Sequence, residues 1–140
     1  MSHSSPGRVD HPIQRLLLVE DNAGDARLLR EMISEGGTHG VEWTHVGSLA
    51  AAEKHLADGE VDLILLDLRM PGMNGLTGLE VMRQRYPAVP VVLMSGDVSR
   101  DTVYGALSAG AAGFIPKVMG GKAMLNALQL VLSGERYVPD

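Results

Sequence analysis

The sequence predicts a doubly wound α/β fold, an open parallel sheet with helices on both faces. Five short apolar runs alternate along the chain with segments of helical periodicity, the pattern of five strand–helix units. Three of the runs are apolar almost throughout, as strands covered on both faces must be. The other two carry polar residues or a proline, which suits the edges of a sheet. The strand order 2-1-3-4-5 satisfies all three observations.

Each unit has its own local signals. Arg15-Leu16-Leu17-Leu18-Val19 is the first strand and runs into Glu20-Asp21. Leu28, Leu29, Met32 and Ile33 follow at helical spacing, and Gly36-Gly37 stops that helix. Val41–Val46 reads as the second strand, and Ser48 caps a helix carrying Leu49, Ala52 and Leu56 that ends near Gly59. Leu63-Ile64-Leu65-Leu66 is the third strand and ends at Asp67; Pro71-Gly72 breaks the chain before a helix through Leu76, Leu79, Val81 and Met82. Val89–Met94 is the fourth strand, ending at Ser95-Gly96. Ser99 is placed to cap a helix through Val103, Ala106 and Leu107, with Gly110 beyond its end. Ala112–Ile115 is the fifth strand, before Pro116-Lys117, and Met124, Leu125, Leu128, Val131 and Leu132 form the last helical stripe, closed by Gly134. The whole is one flavodoxin-like (βα)5 domain over residues 13–134. Residues 1–12 form a disordered lead-in and residues 135–140 a C-terminal tail or linker stub.

Composition limits the function. At 140 residues, 45% apolar and 21% charged, the chain is long enough for one hydrophobic core. The absence of cysteine excludes disulfides and thiolate metal sites. A formal charge of −5 argues against binding nucleic acid through its phosphates. No apolar stretch approaches the roughly 20 residues of a membrane span, and the polar N-terminus lacks the apolar centre of a secretory signal.

Ligands of open parallel sheets bind outside the carboxyl ends of the strands. Here those ends carry Glu20-Asp21, Asp67, Ser95 and Lys117. Crowded carboxylates repel and resist ionisation, a conflict that a hard divalent cation such as Mg²⁺ relieves. An amine and a hydroxyl alongside are what phosphoryl transfer to a carboxylate nucleophile requires. Singly, each residue has a plainer reading: a helix cap for the acidic pair, a turn for Asp67 and Ser95, a solvated charge for Lys117. Their convergence on one rim favours the functional one.

The stretches LLLVEDN (16–22), DLILLDLRMPGMNGL (62–76), VVLMSGD (91–97) and AGFIPK (112–117) resemble the response regulator receiver domain of two-component signalling. AGFIPK followed by LNALQLVLSGERYVP (125–139) is similar to its NarL/LuxR-type subfamily. The resemblance implies that Asp67 is the phosphoacceptor. It implies that Asp21, Asp67 and the backbone carbonyl of Arg69 bind Mg²⁺, with Glu20 acting through water. Ser95 is then the switch hydroxyl, Lys117 the phosphoryl-binding amine and Phe114 the switch aromatic that turns inward on activation. Arg69 and Asp97 tune the acyl phosphate lifetime, and Pro71 and Gly75 occupy the loop after the acceptor. The implied partners are a sensor histidine kinase or phosphotransfer protein, docking at helix one near Asp25 and Arg27, and a second copy on activation. Neither nucleic acid nor membrane is a direct partner, and the implied location is the cytoplasm. The resemblance also implies a signalling domain that catalyses only its own phosphorylation and dephosphorylation. It acts through an output domain absent from this chain or as a stand-alone receiver. Many receivers follow the lysine with a cis proline; here Val118 follows, and a cis bond to a non-proline residue costs about 3 kcal/mol, so Lys117–Val118 is expected to be trans.

Rival readings meet specific obstacles. A phosphatase working through an aspartyl phosphate favours a second Asp where Arg69 stands, and 140 residues leave no room for a cap domain. A flavin module needs a small, hydroxyl- or glycine-rich loop where Glu20-Asp21 lies. Gly120-Gly121-Lys122 lacks the upstream glycine and the Ser/Thr of a nucleotide loop. A degenerate receiver is disfavoured because all the chemical positions are filled.

Overall fold

The computed structural model describes residues 15–35, 42–70, 73–117, 119 and 121–138. The N-terminal lead-in, Pro71, Gly72 and Val118 lie outside the described residues, as does the expected trans bond before Val118. Five strands, β1 (Arg15–Val19), β2 (Glu42–Val46), β3 (Leu63–Asp67), β4 (Val91–Ser95) and β5 (Gly113–Pro116), alternate with α1 (Ala23–Glu35), α2 (Leu49–Asp58), α3 (Gly75–Arg85), α4 (Arg100–Ser108) and α5 (Gly121–Leu132). All pairings in the main sheet are parallel, and its order is β2-β1-β3-β4-β5, as the sequence predicts.

Side chains alternate across a strand, so each strand feeds two cores. Leu16, Leu18, Leu63, Leu65, Met94 and Ile115 pack with Ala26 and Leu29 of α1 and Met124 and Leu128 of α5. Leu17, Val19, Ile64, Leu66, Leu93 and Phe114 pack on the other face with Ala52 of α2, Leu79 and Met82 of α3 and Ala106 of α4. Strands β3 and β4 are buried along their whole length, which explains their unbroken apolar sequence.

Helix ends follow local chemistry. Ser48 caps α2, its hydroxyl accepting from the Ala51 N–H (3.1 Å). Gly110 and Gly134 adopt φ of +102° and +99° beyond α4 and α5, where the chain must turn left-handed and an L side chain is strained. The N–H groups of Gly110 and Ala111 return to Leu107 and Ala106, and those of Gly134 and Glu135 to Val131 and Leu130.

Three details depart from the sequence reading. Strand β4 begins at Val91, after Pro90, whose carbonyl still accepts from Ile64 N–H (3.0 Å). The two-residue strands Arg69–Met70 and Met73–Asn74 form an antiparallel hairpin between β3 and α3, too short to show a periodicity. The outer edge of β5 is not bare. Tyr137 N–H donates to the Ala112 carbonyl (3.2 Å) and Phe114 N–H to the Tyr137 carbonyl (3.1 Å). A Cβ on Gly113 would sit 3.3 Å from both the Tyr137 Cβ and carbonyl oxygen. No helix among the described residues is long and apolar enough to cross a membrane.

Candidate phosphoryl and metal site

Parallel strands end on the same rim, and alternation decides which carboxyl-end residues meet. Glu20 continues the Leu16–Leu18 register, Asp67 the Leu63–Leu65 register and Lys117 the Gly113–Ile115 register, so all three fall on the α1/α5 side. Glu20 and Asp67 are buried, at 1% and 2% exposure, while Asp21 is exposed. The Lys117 Nζ lies 3.1 Å from Asp67 Oδ2, 3.1 Å from Glu20 Oε1 and 3.5 Å from Asp25 Oδ2. Its bond to Asp67 has hydrogen-bond geometry. Its approach to Glu20 is at ion-pair distance only, and Glu20 Oε1 is buried without a hydrogen-bond partner.

Glu20, Asp21 and Asp67 each offer a carboxylate oxygen, all within 4.8 Å of one another. Burial, then the adjoining Asp67, pushes the Glu20 carboxyl up to about 7, outweighing its contacts with Lys117 and Asn22. For Lys117, burial favours the neutral amine, but Glu20 and Asp67 prevail and the net direction is up. One ammonium thus serves two buried carboxylates. An all-oxygen set with a buried oxygen that has no hydrogen-bond partner among the described residues fits a hard divalent ion.

The acidic pair is not the cap of α1. Asn22 takes that role, its Oδ1 accepting from the Asp25 N–H (2.9 Å). Glu20 is held from β2 instead: its N–H donates to the Val46 carbonyl (3.0 Å), and its carbonyl meets His45 Nε2 at 2.5 Å. Sequence reasoning missed His45, whose place near the end of β2 does not by itself point to the Glu20 carbonyl. It also placed Asp25 only at a docking surface, whereas Asp25 completes the acidic surroundings of Lys117.

Ser95 and Phe114 continue the opposite register and lie on the α4 side. Both are buried, at 1% and 0%. Ser95 Oγ accepts from the Asp97 N–H (3.0 Å), and its carbonyl accepts from the Lys117 N–H (2.9 Å). Phe114 is already inside, within the core that α4 shares. Ser99 stands at the N-cap position of α4 but makes no side-chain cap bond. Asp97 anchors that turn instead, through the Ser99 N–H (2.9 Å) and the Thr102 hydroxyl (2.9 Å). Of Arg69 the structure describes the backbone alone, in the short hairpin; Gly75 opens α3.

Comparison with known proteins agrees with this geometry. The family model of the response regulator receiver domain matches residues 16–129. The chain is 38% identical over 121 residues to the glycerol metabolism activator of Pseudomonas putida, covering 84% of this chain and 55% of that protein. It is 34% identical over 128 residues to the nitrate/nitrite response regulator protein NarL of Escherichia coli, covering 89% and 57%. The chain therefore spans little more than half the length of these relatives. A LuxR family DNA-binding response regulator from Silicibacter pomeroyi superposes with a TM-score of 0.76 at 32% identity, over 91% of this chain and 98% of that one. A CheY-like receiver domain protein from Methanospirillum hungatei, at 20% identity and a TM-score of 0.75 over 87% and 95%, shares the fold.

Proposed function

The chain belongs to the response regulator receiver domain family of two-component signalling, and from that premise we propose that Asp67 is the residue that takes the phosphoryl group. The observation that carries the reading is the contact of one ammonium with two buried carboxylates, 3.1 Å from each, at the ends of β1, β3 and β5. The family binds Mg²⁺ at an acidic pocket, and the cluster of Glu20, Asp21 and Asp67 fits one. Asp21, Asp67 and the Arg69 carbonyl would hold the ion, with Glu20 acting through water. Bound there, it neutralises charge on the carboxylates and on the incoming phosphoryl oxygens.

A carboxylate oxygen of Asp67 attacks the phosphorus of a phosphohistidine on a kinase or phosphotransfer protein. The P–O bond forms as the P–N bond breaks, and the imidazole leaves. Lys117, already at hydrogen-bond distance from Asp67, follows the charge onto a phosphoryl oxygen. Asp25 and Leu28, which with Leu29 and Lys117 line one cleft, would meet the donor. Water later attacks the acyl phosphate and returns the carboxylate, so the domain turns over nothing but its own modification.

Phosphorylation then draws Ser95 toward Asp67. Phe114 already lies inside the α4 core, so the moving part is the segment from Ser95 to Ser99. The altered surface is made by α4, β5 and α5, and a second copy would dock there on activation. At the outer edge of β5, Tyr137 is bonded to the backbone of Ala112 and Phe114. The names of the relatives, an activator and a DNA-binding regulator, favour control of transcription through an output domain, a role consistent with the cytoplasm.

The test is labelling with acetyl phosphate and Mg²⁺, read by intact-mass and peptide spectrometry. The wild-type chain gains one phosphoryl group at Asp67, and Asp67→Asn gains none. Labelling of Asp67→Asn at wild-type stoichiometry would remove the assignment.

A further inference from the structure

The segment between β4 and α4 is one hydrogen-bonded unit. Asp97 N–H donates to Ser95 Oγ (3.0 Å). Asp97 Oδ1 accepts from the Ser99 N–H (2.9 Å) and Oδ2 from the Thr102 hydroxyl (2.9 Å). The Ser99 hydroxyl in turn donates to Thr102 Oγ1 (3.0 Å). The buried Ser95 hydroxyl is therefore engaged by an amide whose own residue is moored, through both carboxylate oxygens, to the first turn of α4. Thr102 is the helical residue in that mooring, and it is half-buried.

We infer that Thr102 is a positioning residue of the switch: through Asp97 its hydroxyl holds Ser95 in the resting arrangement, and so sets how readily the site adopts its phosphorylated form. This rests on the reading of Asp67 as acceptor. For the Ser95 hydroxyl to turn toward a phosphoryl oxygen, one of two things must give. Either the Asp97 N–H loses its acceptor, or Asp97 follows Ser95 and its carboxylate leaves Thr102. Both routes break bonds that belong to the resting state, and a group that binds one state better biases the equilibrium toward it. Removing the Thr102 hydroxyl removes the bond that the second route must break, and so opens that route. Valine keeps the β-branched shape and the rotamer restriction of threonine, so the substitution removes the hydroxyl and little else.

The experiment compares wild type, Thr102→Val and Thr102→Ser by titration with beryllofluoride in Mg²⁺, followed by amide NMR shifts. Hydrogen exchange of residues 100–104 is measured without ligand. Thr102→Val should lower the beryllofluoride midpoint roughly three- to tenfold, the net worth of one typical part-exposed hydrogen bond. The same variant should speed exchange in the first turn of α4, while Thr102→Ser stays at wild type in both. An unchanged or raised midpoint in Thr102→Val overturns the inference, as does a serine variant that behaves like valine. If the wild type ignores beryllofluoride, the acceptor assignment fails separately; exchange then decides the mooring, and equal exchange in Thr102→Val and wild type overturns it.

Discussion

On the α1/α5 side of the rim, Glu20, Asp67 and Lys117 are placed by strand register. Each extends the alternation of a buried strand, and the backbone of Glu20 is bonded to β2. On the α4 side, Ser95 is placed by register too, but the residues that hold its hydroxyl lie beyond the strand and are bonded to one another. The charged corner is therefore anchored to the sheet, and it crowds two buried carboxylates beside one ammonium. The Ser95–Ser99 segment is closed by its own hydrogen bonds and those to Thr102. A receiver needs both: a fixed place for the chemistry and a nearby element with a second arrangement of similar free energy.

The largest effect should come from the core beneath α4, on the Ser95 side of the sheet. Phe114 is completely buried among residues of β1, β3, β4 and α4. Phe114→Ala should cost about 3–5 kcal/mol of stability, by lost transfer free energy and the cavity left behind, read from urea unfolding. A cost below about 1 kcal/mol would mean that the α4 side is loosely packed and that the contrast drawn here is one of packing, not of hydrogen bonding.

The crowding in the charged corner should appear as a pH dependence of the metal-free protein. Glu20 titrates near 7 when folded, against 4.5 for the free side chain. Its folded pKa is raised, so between those values the native state binds the extra proton. The contribution of Glu20 is fully present below pH 4.5 and is lost as pH rises to about 7. Glu20→Gln should therefore stabilise the metal-free domain at pH 7.5 by on the order of 1–3 kcal/mol, shared with Asp67. The gain should vanish near pH 4.5. Saturating Mg²⁺ should reverse the ranking, because the wild-type carboxylate then has its counter-charge. Thermal unfolding across pH, with EDTA or Mg²⁺, measures this; a flat difference would mean that the corner is relaxed without an ion.

The charged corner was legible in the sequence because register is. Once Leu16–Val19, Leu63–Leu66 and Gly113–Ile115 are strands in the order 2-1-3-4-5, the positions of Glu20, Asp67 and Lys117 follow from a period of two. The capping of α1 by Asn22 and the bond from His45 to Glu20 were not legible. Asn22 competes with the neighbouring Asp21, an equally good cap, and the His45 contact is made across strands, where sequence spacing carries no signal. The docking of Tyr137 on β5 was hidden for a related reason: one residue pair carries no periodicity. Ser99 was the wrong member of a polar cluster, since Asp97, Ser99 and Thr102 can each turn inward and only geometry decides which does.

That last ambiguity yields the smallest effect, and it separates the two regions most finely. If Asp97 anchors α4, Asp97→Ala removes an acceptor from both the Ser99 N–H and the Thr102 hydroxyl. It also removes a negative charge from the positive end of the helix dipole. The loss should be about 1 kcal/mol, the usual cost of a deleted cap. Ser99→Ala removes only an exposed hydroxyl-to-hydroxyl bond and should cost a few tenths of that, on the order of 0.3 kcal/mol. Paired urea titrations of the two variants resolve the difference. The reverse ranking would make Ser99 the working cap, leave Asp97 free to follow Ser95, and place the barrier to switching at the Ser95 hydroxyl alone.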